Sequence, residues 1–75
     1  MNKARRKALD SIIEEMESLK EGLQDIADAE QDVCDSLGGH FEWTERYTQV
    51  ENNVELLNNA VDSLEDLIDL VKEVV

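Results

Sequence analysis

Apolar residues in the second half of the chain recur at spacings that alternate three and four: Tyr47, Val50, Val54, Leu57, Val61, Leu64, Ile68, Val71 and Val75. That spacing puts every member on one stripe of an α-helix and commits the segment to packing against another helix. In the first half Leu9, Ile12, Met16, Leu19, Leu23, Ile26, Val33 and Leu37 follow the same rule, interrupted at Glu30. The chain has no Pro to break either pattern, so both halves are predicted to be helical.

Gly38 directly follows Leu37, where a left-handed C-terminal cap is expected. Thr44 can cap a second helix, with Glu45 favoured in its first turn by the helix dipole. The pattern therefore predicts helix one over about 3–37, a loop over 38–44 and helix two over about 45–74. So short a connection favours an antiparallel hairpin, giving an all-α fold of coiled-coil-like type in a single small domain. A turn centred near residues 40–41 would set Ile26 against Val54, Leu23 against Leu57 and Leu19 against Val61. It would also set Met16 against Leu64, Ile12 against Ile68 and Leu9 against Val71, so every layer is apolar on both sides.

Two helices leave apolar surface over. Helix two carries a further stripe at Leu56, Ala60, Leu67, Leu70 and Val74, and helix one adds Ile13, Ala27 and Cys34 on a flank. Leaving the large members in water forgoes about 1.5–3 kcal/mol each. The expectation is self-association, most simply a dimer forming a four-helix bundle. Gly22, inside helix one, costs about 1 kcal/mol relative to Ala. It reads either as a tolerated surface glycine or as a point of close approach at a dimer contact.

Much chemistry is unsupported. A single Cys forms no internal disulfide, and one Cys with one His supplies no structural zinc site. His40 stands beside two glycines with no Ser or Cys near it in sequence, and a catalytic constellation needs a nucleophile, a base and an orienting group. Cys34 reads as a small buried thiol. The Glu-x-x-His pair of a di-iron bundle, an EF-hand loop and a phosphate-cradling glycine loop are all missing from the sequence. No enzyme, metal or cofactor is expected. The basic start, Lys3, Arg5, Arg6 and Lys7, is not followed by the apolar run of a secretory signal, and no run is long enough to span a membrane. The expected compartment is the cytoplasm, where Cys34 would stay reduced.

The formal charge is -12, from 7 Lys and Arg against 19 Asp and Glu. It argues against direct nucleic-acid binding, because phosphates would be repelled. The charge is also polarised. Beyond Lys7 only Lys20, Arg46 and Lys72 face all 19 acids, a balance of -16. On helix one, Glu14, Glu17, Glu21, Asp25, Asp28, Asp32 and Asp35 recur every three or four residues, an outward row with steps of roughly 5 Å. Such a row is either a solvated face or a surface that engages a basic, nucleic-acid-binding cleft on another protein, with fast and salt-sensitive association.

Two further candidates lie at the ends. Phe41 and Trp43, with Arg46 and Tyr47 just after, concentrate aromatic residues at the turn. They either cover the end of the bundle over Leu37 and Val50 or form a contact site for a partner. Glu30 could pair with Arg46 there. At the other end, Lys3, Arg5, Arg6 and Lys7 are either a solubilising start or a group that pairs with the acids Asp66, Asp69 and Glu73 near the end of helix two. An alternative to protein binding joins this cluster to Arg46 and Trp43 at an oligomer interface. There they would make a site for a small anionic signal such as a cyclic nucleotide. A third reading is a purely structural coiled-coil adaptor.

The opening Asn2-Lys3-Ala4-Arg5-Arg6-Lys7-Ala8-Leu9, the acidic first helix, the tight loop and Thr44-Glu45-Arg46-Tyr47 at the start of an acidic second helix give the chain a wider likeness. It resembles small helical-hairpin proteins of bacterial phages, prophages and other mobile elements. Members often carry Pro and Asn in the loop, where this chain has Gly38-Gly39-His40-Phe41-Glu42-Trp43. The resemblance implies a context rather than site residues. What it implies is that many tiny acidic phage proteins resemble inhibitors of host defence, including anti-CRISPR proteins that occupy basic nucleic-acid channels.

Overall fold

A computed structural model describes residues 1–41 and 45–75, with residues 38–41 as helical backbone. It contains two α-helices, α1 (Lys3–Phe41) and α2 (Glu45–Val74), packed along each other as an antiparallel two-helix hairpin. The molecule is a rod of 58 × 15 × 13 Å. Its radius of gyration is 17.1 Å, where a compact domain of this length would have about 11 Å. A rod buries little, and no large side chain is fully enclosed among the described residues.

The helix ends follow from local chemistry. Asn2 caps α1, its side-chain Oδ1 accepting from the backbone N–H of Arg5 at 2.8 Å. The first turn of α1 holds no acid, whereas α2 has Glu45 in its first turn and Lys72 in its last. Those two charges sit as the helix dipole favours. At the far end of α2 the N–H of Val75 donates to the Lys72 carbonyl at 3.2 Å, closing the last turn tightly.

Helix α1 does not stop at Leu37. It runs through Gly38 and Gly39 to Phe41, so the expected left-handed cap at Gly38 is not formed. Two helical glycines cost about 1 kcal/mol each relative to Ala. Continuing, however, brings Phe41 to the next four-residue step of the apolar series after Leu37. The expected cap at Thr44 lies outside the described residues.

The seam of α2 is the one its spacing predicts as far as Val71; Val75, the last member of that series, is exposed and lies beyond the helix. Val50, Val54, Val61 and Ile68 are buried, and Tyr47, Leu57, Leu64 and Val71 are half-buried. The seam of α1 is not. Leu9, Met16, Leu23 and Leu37 face inward as expected, but the alternate positions are filled by Ile13, Ala27 and Cys34, which are buried, and by Lys20, which is half-buried. Ile12, Leu19 and Ile26 remain exposed, at 47%, 64% and 54%. The layers setting Ile26 against Val54, Leu19 against Val61 and Ile12 against Ile68 therefore do not form.

The physical reason is that α1 is apolar over a wider arc than one partner helix can cover. Only one edge of that arc can face α2. Turning this edge inward buries Ile13 and sets two small residues, Ala27 and Cys34, in the seam with the valines of α2. It also brings Glu17 and Lys20 within reach of Lys72 and Glu65. The larger residues are left outside.

Candidate interaction surfaces

The rotation of α1 gives the hairpin two unlike flanks. On one side, the residues that directly follow the inward-facing Leu9, Met16, Leu23 and Glu30 are Asp10, Glu17, Gln24 and Gln31. Their counterparts on α2, following Val50, Leu57, Leu64 and Val71, are Glu51, Asn58, Glu65 and Lys72. All eight are polar, and both ion pairs lie here. Lys72 Nζ is 3.0 Å from Glu17 Oε1, and Lys20 Nζ is 4.0 Å from Glu65 Oε1. The hydrogen bond and charge of Glu17 hold Lys72 above its ordinary pKa of 10.5. Both partners are about half exposed, so solvent screens the pair.

The carboxylate row occupies this polar flank and the outer back of α1. Glu14, Glu21, Asp25, Asp28, Asp32 and Asp35 are exposed, while Glu17 is half-buried and drawn to Lys72. Uncharged donors hold part of the row: Gln24 Nε2 donates to Asp28 Oδ1 at 3.0 Å and Gln31 Nε2 to Asp35 Oδ1 at 2.9 Å. Among the described residues no cation pairs with any member but Glu17, so the row keeps its charge.

The opposite flank is apolar. Ile12, Leu19, Ile26 and Val33 each directly precede an inward-facing residue of α1 and repeat every seven positions. On α2, Ala60 and Leu67 do the same, with Val74 seven positions further on and Leu56 and Leu70 farther round the helix. Ile26, Glu30, Asn53, Leu56 and Leu57 line one shallow groove of about 360 Å³, which shows that the α1 and α2 stripes open to the same side. Ten large apolar residues are exposed among those described, and eight lie on this flank; the others, Met1 and Val75, are the first and last residues. The exposed apolar surface is therefore one strip and not scattered.

The remaining candidates divide. Tyr47 turns into the seam, where the Cys34 thiol, then burial and Glu51, push its hydroxyl up to about 12; it is a packing residue at the turn end of the hairpin. Arg46 is exposed. Glu30 lines the groove instead of pairing with Arg46. The Phe41 side chain and Trp43 lie outside the described residues. Lys3, Arg5, Arg6 and Lys7 are exposed at the open end, and the described ion pairs there join none of them to Asp66, Asp69 or Glu73. Arg46, in the first turn of α2, stands at the other end of the rod. At 1.5 Å per residue that is roughly 50 Å away, so one chain does not bring the expected anion-site residues together. No group of three potential metal ligands gathers among the described residues, and no described helix is long and apolar enough to cross a membrane.

Periodicity alone missed the outward position of Ile12, Leu19, Ile26 and Val33. The signal that could have found it is the uniform polarity of Asp10, Glu17, Gln24 and Gln31, which marks that edge of α1 as the wet one. Fold and flanks together define an antiparallel helical hairpin with one charged and one apolar side. Comparison of the chain with protein-family models, curated proteins and solved structures finds no match.

Proposed function

We propose that this chain is a non-catalytic protein-binding module whose carboxylate face occupies a basic, nucleic-acid-binding surface of another protein. The observation that carries the reading is the segregation of charge. Six carboxylates of α1, from Glu14 to Asp35, are exposed on one side without a neutralising cation among the described residues. Holding like charges in line on a helix is unfavourable for the free chain. A row of basic side chains on a partner relieves that repulsion and supplies electrostatic steering. The resemblance to small phage hairpins supports a host defence protein as the partner.

The test is a pull-down of basic proteins from the native host, followed by affinity measurement across a salt titration. Reversing Glu21, Asp25 and Asp28 to Lys should abolish binding while far-UV circular dichroism stays helical. Affinity unchanged by the triple reversal, or insensitive to salt, rejects the reading.

A further inference from the structure

We propose that the apolar flank is the docking surface for a second copy of this chain, two hairpins closing face to face into a four-helix bundle. The area fits. Two rods of 58 × 15 Å lying face to face along their length share a footprint on the order of 800 Å² each, what one partner contributes to a standard stable interface, and the strip from Ile12 to Val33, about 32 Å at 1.5 Å per residue, forms its apolar centre. The strip is also nearly free of charge. At the positions that form it between Ile12 and Val74 the charged residues are Glu15 and, at the turn end, Arg46, with Glu30 at its edge in the groove. A partner drawn by the net charge of -12 would meet the carboxylates on the other side. This flank offers it nothing.

The strip matches itself. The ion pairs Glu17–Lys72 and Lys20–Glu65 bring Leu19 level with Leu67 along the rod. The groove that Ile26 shares with Leu56 sets those two within about one turn of each other. A two-fold rotation about the long axis then lays Leu19 on Leu67 of the partner subunit and Ile26 beside Leu56 of the partner subunit. The reverse contacts follow by symmetry. Near the middle, Gly22 has nothing within 4 Å of the position a Cβ would take, which leaves room for a neighbouring helix. The result is the pattern of a bundle helix, apolar at the seam and along one adjacent edge.

The experiment is sedimentation equilibrium of the full chain over a concentration series, with melting curves at the same concentrations. The expected mass is twice the 8.5 kDa of one chain, and the melting temperature should rise with concentration. Leu19→Gln combined with Leu67→Gln should bring the mass down to one chain and remove that concentration dependence, whereas Asp25→Lys on the opposite face should change neither. Salt should strengthen this association by screening two acidic chains, while it weakens binding to a basic protein. The two proposals can thus fail separately. A monomer at every concentration, leaving the flank to another protein, overturns the inference. So do a double variant that stays dimeric and an association that salt weakens.

Discussion

Lys72, in the last turn of α2, reaches back across the hairpin to Glu17 of α1, with Nζ 3.0 Å from Oε1. The bond crosses the seam on its polar side and holds the open end of the hairpin in register. Its pH dependence has a fixed sign. The folded-state pKa of Lys72 lies above 10.5, so its stabilisation is complete below 10.5 and disappears as pH rises through the raised value. Lys72→Met should lower the melting temperature by a few degrees at pH 8 in low salt. The difference should close in high salt and in strong alkali. A difference that persists in about 1 M salt would assign the effect to packing of the lysine stem instead.

Tyr47 is the only tyrosine, so its ionisation is readable by absorbance without ambiguity. Its hydroxyl is pushed from 10.0 up to about 12, chiefly by Cys34. Between those values the unfolded chain ionises first. Stability is therefore intact below pH 10 and falls as pH climbs toward 12. Tyrosinate absorbance should appear near pH 12 while the helical signal persists, and Cys34→Ala should move it back toward 10. A midpoint near 10 in the folded unmodified protein would contradict the contact.

The rotation of α1 is tested by neighbours in sequence. Ala27 is 2% exposed and Ile26 is 54% exposed. Ala27→Leu should destabilise the hairpin by about 1–3 kcal/mol through overpacking. At concentrations where the hairpin is a single chain, Ile26→Leu should change it by less than about 0.5 kcal/mol, as surface substitutions do. Denaturant unfolding measures both, and a reversed order would restore the seam that runs through Ile26.

Gly22 lies near the middle of α1, in open space within one chain. Gly22→Ala should raise the stability of an isolated hairpin by about 1 kcal/mol through helix propensity. The gain should shrink at concentrations where two chains associate, because the added methyl then meets the neighbour. Urea unfolding at high and low protein concentration separates the two values.

The legibility of the two helices differed for a definite reason. In α2 only one series of apolar residues at three-four spacing is continuous, and from Tyr47 to Val71 it is the seam. In α1 two series share Leu9, Met16, Leu23 and Leu37 and differ at the alternate positions. Hydrophobicity ranks Leu19 and Ile26 above Lys20 and Ala27 and does not separate Ile12 from Ile13, yet Ile13, Lys20 and Ala27 face inward. The choice rests on fit to α2 and on the partners found by Glu17 and Lys20, which a single helix does not display. The carboxylate row was readable because it needs only the period of one helix. The apolar flank needed both helices in register before Ile26 and Leu56 could be seen to share a groove.

A rod of 58 × 15 × 13 Å built from two helices lying side by side behaves as a zipper more than as a globule. Opening at the Lys3–Val74 end leaves the Cys34–Tyr47 end in place, because no layer of packing spans both. Amide exchange should therefore grade along the length of the molecule, without one shared rate.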